Sequence, residues 1–173
     1  MGQITINRAA NANLYMNGAS FLGQVEEIQV PDIPIKTVDH KALGMVGTLE
    51  FFSGIDKMEG SVKWNSMYAQ ARITALNYTT MNDIQVRSSV DGYDGTGRKT
   101  QVPLVIYLKV MFKNVPGGMW RQHENVDVTS KFNAFYYKEN LNGQDIVEID
   151  VLNNIYKVNG VDLLATYRNN IGQ

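Results

Sequence analysis

Three Asn-Gly pairs, at residues 17–18, 142–143 and 159–160, constrain the fold of this chain more than any other feature. Asn-Gly favours the two-residue type I′ turn of a β-hairpin, because both central residues of that turn need a positive φ. Residues 13–16 and 21–30 flank the first pair, and residues 146–151 lie between the second and the third. Since these flanking segments are strand-like, the chain is predicted to fold through antiparallel hairpins.

Several segments alternate apolar and polar residues with the period of a strand. The apolar face of one such segment comprises Met58, Val62 and Trp64. Its polar face comprises Glu59, Ser61, Lys63 and Asn65. Residues 83–90, 102–113 and 128–136 are predicted to be further strands. In the last of these, one face comprises Val128, Ser130, Phe132, Ala134 and Tyr136, and the other comprises Thr129, Lys131, Asn133 and Phe135.

Two helices are predicted beside these strands. Residues 67–78 follow a potential cap at Ser66, and they carry an apolar stripe of Met67, Ala71, Ala75 and Tyr78. A shorter helix is predicted over residues 163–168, capped by Asp162. The fold class that follows is mainly β: a barrel or sandwich with one flanking helix and a short C-terminal helix.

Composition excludes several classes of protein. The 173 residues fit a single domain, residues 1–173, and a net charge of −1 argues against a protein that coats nucleic acid. The chain has no cysteine, so no disulfide framework is expected. No apolar run approaches the roughly 20 residues of a membrane helix, and no signal peptide is recognised at the N-terminus. We therefore expect synthesis in a cytoplasm and no stable membrane association.

No catalytic constellation is recognised, and no cofactor or metal is expected. His40 and His123 lack a nearby second ligand, and the glycine-rich residues 91–97 lack the spacing of a phosphate or calcium loop. These residues are predicted to be a hairpin loop. Adjacent Glu26 and Glu27 are expected on opposite faces of a strand, where they cannot act together.

Residues 39–48 break the strand periodicity and carry bulky apolar residues in a loop. Such a loop is usually functional or ordered by a partner. We interpret it as an interaction loop, whose predicted contact residues are Asp39, His40, Lys41, Leu43, Met45 and Val46.

The C-terminal part carries EID at 148–150, KVNGVD at 157–162 and RNNIG at 168–172. Together these resemble the C-terminal signature of the major tail tube proteins of contractile phage tails and R-type bacteriocins. NLYMNG at 13–18 and GMVG at 44–47 extend the resemblance toward the N-terminus. VP at 30–31, Met58-Glu59 and Trp64 match the same pattern in order.

The resemblance implies a β subunit that forms hexameric rings, which stack into a hollow tube inside a contractile sheath. The polar faces would then line the lumen, through Glu59, Ser61, Lys63, Asn65, Thr129, Lys131 and Asn133. The loop of residues 39–48 would contact neighbouring subunits or successive rings. Implied partners are further copies of the chain, sheath, baseplate and tail-terminator proteins, a tape-measure protein in the lumen, and DNA in transit. The protein would be a virion component assembled in the host cytoplasm.

Three alternatives remain open from the sequence. One is the tube of an R-type bacteriocin, and another is the tube of a type VI secretion-like injection device. The third is a carbohydrate-acting enzyme that uses Glu148 and Asp150, which lie on one face of a predicted strand.

Overall fold

The computed structural model describes residues 4–173, which form twelve strands and two α-helices. The expectation of one domain over residues 1–173 includes residues 1–3, which lie outside this range. The first strands in chain order are β1 (Ile6–Met16), β2 (Ala19–Ser20), β3 (Val25–Gln29), β4 (Ile35–His40), β5 (Leu49–Ile55) and β6 (Met58–Trp64). The later strands are β7 (Asn82–Asp94), β8 (Gly97–Phe112), β9 (Val128–Leu141), β10 (Gln144–Asp150), β11 (Ile155–Val158) and β12 (Val161–Asp162). The helices are α1 (Ala69–Leu76) and α2 (Ala165–Asn170). The predicted mainly β architecture is confirmed.

Ten strands form one antiparallel sheet, and β4 and β5 pair only with each other. β9 is central because it pairs with three strands. One edge of β9 pairs with β8, while the other edge pairs first with β6 and then with β10. The sheet continues from β6 to β3, from β10 through β11 to β12, and from β8 through β7 to β1 and β2. Within the described residues the sheet does not close, so a single chain does not form the barrel considered from the sequence.

A single hydrophobic core lies against the sheet. Its largest fully buried apolar side chains come from five strands and are Phe132, Met58, Ile84, Leu108, Ile149, Val62 and Val110. Burying a side chain of this size stabilises the fold by about 1.5–3 kcal/mol. The packing is close at Gly60, where an added Cβ would lie 2.5 Å from Phe132 Cζ and 2.6 Å from the Gln29 carbonyl oxygen. Because there is no room for a side chain, β6 requires glycine at this position.

A bulge in β9 divides this strand into two halves. The register with β8 shifts between the Lys109–Tyr136 pair and the Val110–Ala134 pair, which leaves Phe135 as the extra residue. A shift of one residue exchanges the two faces of a strand. Tyr137, not Tyr136, is therefore buried, at 5% exposure. The predicted alternation is therefore interrupted at Phe135, and Tyr136 does not share the face of Phe132.

All three Asn-Gly pairs form the predicted turns. Their asparagines have φ between 49° and 52° and their glycines between 80° and 83°, as type I′ turns require. The strands around the first turn differ from the prediction, because the short β2 is the partner that returns to β1. The strand predicted over residues 21–30 is shorter and pairs with β6 instead. The predicted loop over residues 91–97 is also shorter, since β7 runs through Asp94 and β8 begins at Gly97.

Helix α1 is shorter than predicted. It begins after Tyr68, which has an extended φ of −111°, and no side chain caps it, so Ser66 is not the cap. Ala71 and Ala75 are buried as predicted. Tyr78 lies beyond the helix and is 78% exposed, so it is not part of the buried stripe.

Helix α2 begins two residues later than predicted, and Asp162 caps the turn before it. The Asp162 carboxylate accepts a hydrogen bond from the Leu164 backbone N–H at 3.1 Å. It also pairs with Arg168 Nη2 at 2.6 Å, which ties the last strand to the C-terminal helix.

Candidate functional site

Six of the residues predicted to line a lumen come together on one face of the sheet. β6 and β9 pair in a register that sets them opposite one another: Glu59 with Asn133, Ser61 with Lys131 and Lys63 with Thr129. The alternation that buries Val62 and Phe132 directs these side chains away from the core. We call this surface, with Glu26, Glu27 and Gln29 of β3, the polar face.

Strand β3 widens the polar face. Glu27 lies opposite Lys63 and Gln29 opposite Ser61, with a register shift between Val25 and Glu27. Glu26 lies at this shift, and its carboxylate is 2.9 Å from Lys63 Nζ. Glu26 and Glu27 therefore do not lie on strictly opposite faces as expected, because the register shift lets the Glu26 carboxylate reach the lysine that Glu27 lies opposite.

Asn65, the seventh predicted lumen residue, lies just after β6 and is hydrogen-bonded to the segment between β2 and β3 and to Tyr68. Its side-chain amide donates a hydrogen bond to the Gly23 carbonyl oxygen at 2.8 Å. Its side-chain oxygen accepts one from the Tyr68 hydroxyl. These hydrogen bonds hold the end of β6 to the segment between β2 and β3.

Ion pairs set the electrostatics of the polar face. The hydrogen bond to Glu26, with smaller contributions from Asp127 and Glu27, raises the pKa of Lys63. The Lys113 ammonium pairs with Glu59, and this hydrogen bond lowers the pKa of that carboxyl. Lys131 is exposed, and its charge also lowers the pKa of Glu59. The face therefore holds paired opposite charges at close range.

The β4–β5 hairpin, residues 35–55, is the second candidate site. Its two strands pair from Ile35–Ile55 to His40–Leu49, and within the described chain they pair with no other strand. Every residue of β4 is exposed, as are the first five of β5. Exposed apolar surface of this kind is typical of an interaction site.

The predicted interaction loop forms the tip of this hairpin. Asp39 and His40 belong to β4, so the loop begins two residues later than predicted. Leu43 and Val46 are fully exposed, at 106% and 109%, and Met45 is 42% exposed. The predicted contact residues therefore lie together at the end of the hairpin, with Lys41 among them.

Other apolar residues of the hairpin were missed from the sequence. They are Ile35, Val38, Leu49, Phe51 and Phe52, each between 47% and 58% exposed. The run Leu49-Glu50-Phe51-Phe52 was a usable signal, because a strand with consecutive aromatic residues has no polar side to present to water.

A comparison with known protein families covers nearly the whole chain. Residues 7–172 match the family model described as phage tail tube protein FII. The chain belongs to the phage tail tube proteins. A phage tail tube protein is a component of the virion, so the resemblance noted in the C-terminal motifs is confirmed.

Two curated relatives support the tail tube assignment. The tail tube protein of Escherichia phage P2 is 29% identical over 163 residues, covering 92% of this chain and 94% of the relative. The major tail tube protein of Serratia phage KSP20 is 25% identical over 150 residues, covering 87% and 86%. Both matches extend over most of the chain.

Two solved structures share the fold of this chain. The chain resembles a protein of the sheath/tube terminator of PVC, an extracellular contractile injection system, with a TM-score of 0.53 and 8% identity. That match covers 75% of this chain and 92% of the other. A protein of the PVC sheath-tube complex matches with a TM-score of 0.53 and 9% identity, covering 75% and 87%.

The two carboxylates of the enzyme alternative have structural roles in this tail tube chain. Glu148 accepts a hydrogen bond from the Tyr136 hydroxyl at 3.1 Å and pairs with Lys157 at 3.1 Å. Asp150 accepts hydrogen bonds from the backbone N–H groups of Leu152 and Asn153, which close the turn after β10. The two carboxylates therefore hold separate elements together, and the matched family is a structural one.

Metal and membrane features were also sought in residues 4–173. No group of three or more His, Cys, Asp or Glu side chains in this range is placed to hold a metal ion. No helix in the same range is long and apolar enough to span a membrane.

Proposed function

We propose that this tail tube protein is the subunit of the inner tube of a contractile phage tail. Hexameric rings of the subunit stack into a hollow conduit for DNA, inside a contractile sheath. The observation that carries this proposal is the β4–β5 hairpin, whose strands pair with no other strand of the described chain and expose their apolar side chains.

The hairpin needs a protein partner because of its apolar surface. Two strands alone are marginally stable in water, and they gain stability when a further surface covers their apolar side chains. Phe51 and Phe52 on the strands and Leu43 and Val46 at the tip offer side chains that are at least half exposed. A second copy of the chain, in the same ring or in the next one, supplies this cover.

Open sheet edges support a ring. In the described structure β3 pairs only with β6, and residues 6–13 of β1 pair with no strand other than β7. Such edges have unpaired backbone groups and favour pairing with another chain. Copies arranged head to tail around a closed ring pair these edges and leave none free.

The polar face then faces the lumen. Its side chains are hydrophilic and lie over a packed core, so the face can remain in water while DNA passes. The hairpin tip contacts subunits or rings, and the sheath protein lies outside the tube. Baseplate and tail-terminator proteins lie at the two ends of the tube. A tape-measure protein occupies the lumen during assembly in the host cytoplasm.

Negative-stain microscopy of the purified protein tests the proposal. Wild-type protein should form rings or tubes at high concentration. The double variant Leu43→Ser/Val46→Ser should remain monomeric with an unchanged melting temperature, because both side chains are fully exposed in the subunit. The matched control Leu22→Ser/Ile73→Ser changes two side chains that are 75% and 66% exposed outside the hairpin, and it should still assemble.

Two results would contradict the proposal. A uniform wild-type monomer at high concentration would oppose assembly itself. A tube reconstruction with Lys63 and Lys131 buried in protein would oppose the lumen assignment while leaving the tube intact.

A further inference from the structure

The three Asn-Gly turns share one backbone conformation and the same degree of access. Each asparagine and each glycine of the turns is exposed and has a positive φ. A Cβ added at any of the three glycines would have nothing within 4 Å. In each turn the asparagine N–H donates to a carbonyl oxygen of another segment, at 2.8 or 2.9 Å. The turns therefore differ only in how their side chains and their glycine nitrogens are held.

The Asn17 side chain is held at both of its polar atoms. Its Nδ2 donates a hydrogen bond to Asn82 Oδ1 at 2.9 Å. Its Oδ1 accepts a hydrogen bond from the Asp83 backbone N–H, also at 2.9 Å. Asn82 is itself buried, at 3% exposure, so it is a fixed anchor on β7. The Asn17 side chain can turn toward its glycine only when both bonds break.

The Asn142 side chain has no such anchor. Among the described residues it makes no hydrogen bond, and the restraint at this turn is on the glycine, whose N–H donates to Asn140 Oδ1 at 3.0 Å. Asn159 is intermediate. Its Oδ1 accepts a hydrogen bond from Gln144 Nε2 at 2.6 Å, while its Nδ2 has no partner in residues 4–173.

We propose that Asn142 is a site of spontaneous deamidation in the folded subunit, and that the hydrogen bonds of Asn17 protect it from the same reaction. The deprotonated backbone nitrogen of the glycine attacks the asparagine Cγ and forms a cyclic imide. The Cγ–Nδ2 bond breaks, and the amide takes up a proton and leaves as ammonia. Water then opens the imide at either carbonyl, which leaves aspartate or isoaspartate. The reaction needs only one chain, so it is independent of tube assembly.

The order of the three rates follows from the bonds that must break first. Glycine has no Cβ to block the approach of its nitrogen, and all three asparagines precede a glycine. The local sequence alone therefore predicts similar rates. Two side-chain hydrogen bonds should slow the reaction at Asn17 by about tenfold or more relative to Asn142, and one should slow it severalfold at Asn159.

Deamidation at Asn142 changes the turn that joins β9 to β10. Aspartate accepts the positive φ of 52° almost as readily as asparagine, so this product keeps the turn and adds one negative charge. Isoaspartate instead adds a backbone atom to a two-residue turn whose length sets the register of the hairpin. Stored protein should therefore become a mixture of subunits that differ at the end of β9, the strand that pairs with three others.

Peptide mass spectrometry of the full chain, incubated at mildly alkaline pH, follows all three turns in one sample. The Leu43→Ser/Val46→Ser background keeps the chain monomeric, so that contacts between copies do not shield a turn. Conversion at Asn142 should be about tenfold or more faster than at Asn17, with Asn159 between them. Equal rates at Asn142 and Asn17, or the reverse order, overturn the proposal.

The matched control is the same chain in denaturing urea. Unfolding removes every side-chain hydrogen bond, and the three rates should then become similar. If Asn142 leads by the same factor in urea, the local sequence sets the order and the proposal is wrong. Asn142→Asp checks the position, because the mass change of its peptide should disappear. A change that persists in that variant assigns the reaction to another asparagine, such as Asn140, and also overturns the proposal.

A single exposed substitution tests the protective effect of a hydrogen bond. Gln144→Ala removes the donor to Asn159 Oδ1 and leaves both bonds of Asn17 in place. Conversion at Asn159 should rise severalfold, toward the rate at Asn142, while that at Asn17 stays unchanged. An unchanged rate at Asn159 would show that such a bond gives no protection, and the contrast between Asn142 and Asn17 would lose its cause.

Discussion

The polar face and the β4–β5 hairpin are both exposed antiparallel surfaces of one subunit, but they differ in what lies behind them. Behind the polar face is the core, where Val62 and Phe132 are fully buried. Of the hairpin residues only Ile55, at its base, packs against the core. Phe51 and Phe52 follow one another in β5, and both are about half exposed.

In the polar face, the fold of one chain is enough to bury the apolar side chains. In the hairpin it is not. In β6 the side chains alternate strictly, so every apolar side chain is satisfied by the fold and every polar one by water or a charged partner. In β5 the alternation is lost, and the fold leaves the apolar side chains uncovered. The first surface can remain in contact with water. The second is stabilised only when another surface covers its apolar side chains.

The largest effect that separates the two regions is expected from matched phenylalanine truncations. Phe132→Ala should destabilise the subunit by about 3–5 kcal/mol, because it leaves a cavity in the core. Phe51→Ala should change stability by less than about 0.5 kcal/mol, as expected for a surface substitution. Urea denaturation in the assembly-deficient Leu43→Ser/Val46→Ser background measures both without interference from tubes. Similar losses for the two variants would mean that the hairpin packs against its own subunit.

A matched pair of glycine substitutions sharpens the comparison. Gly60→Ala should cost about 1–3 kcal/mol, because the new Cβ would clash with the Phe132 ring and with backbone. Gly47→Ala, on the hairpin, has nothing within 4 Å of the new Cβ and needs no positive φ, so its effect should be close to zero. The same denaturation assay checks both, and a neutral Gly60→Ala would show that Phe132 can move aside.

The features that the sequence predicts well are those set by neighbouring residues. The Asn-Gly turns depend on the backbone preferences of two adjacent residues, and all three form. The opposed faces of β6 follow from strict alternation. The alternation of β6 and β9 together yields the six of the seven predicted lumen residues that lie on the polar face. The C-terminal motifs identify the family because they are local strings of sequence.

The features that were missed depend on distant parts of the chain. Nothing in the local sequence places an extra residue at Phe135, because a bulge arises from the fit between two strands. The same holds for the bulge at Glu26, which brings that carboxylate to Lys63. The pairing of β6 with β9 joins segments about seventy residues apart and has no signature in either segment.

The hairpin was predicted only in part for a different physical reason. Its tip was found from bulky apolar residues in a loop, but its strands were not, since alternation predicts strands that cover a core. A strand that is covered by another chain need not alternate in the same way. The loss of alternation in Leu49-Glu50-Phe51-Phe52 thus indicates that this strand is covered by another chain and not by its own core.

The smallest expected effect concerns the pH dependence of the Glu59–Lys113 pair on the polar face. The hydrogen bond from Lys113 holds the pKa of Glu59 below its ordinary value of 4.5. A carboxyl with a lowered folded pKa contributes stability above its unfolded pKa, and this contribution is lost as the pH falls through the folded value. Wild-type protein should therefore lose a small increment of stability below pH 4.5 that Glu59→Gln lacks. Denaturation at a series of pH values measures the difference.

A direct titration checks the cause of that increment. NMR titration of the Glu59 side chain in the monomeric background should give a pKa below 4.5, and Lys113→Gln should move it back toward that value. Added salt should reduce the shift, because the pair is exposed to solvent. An unshifted Glu59, or a shift that persists without Lys113, would show that the pair does not form in solution. The contrast with the hairpin would then rest on the core beneath the polar face.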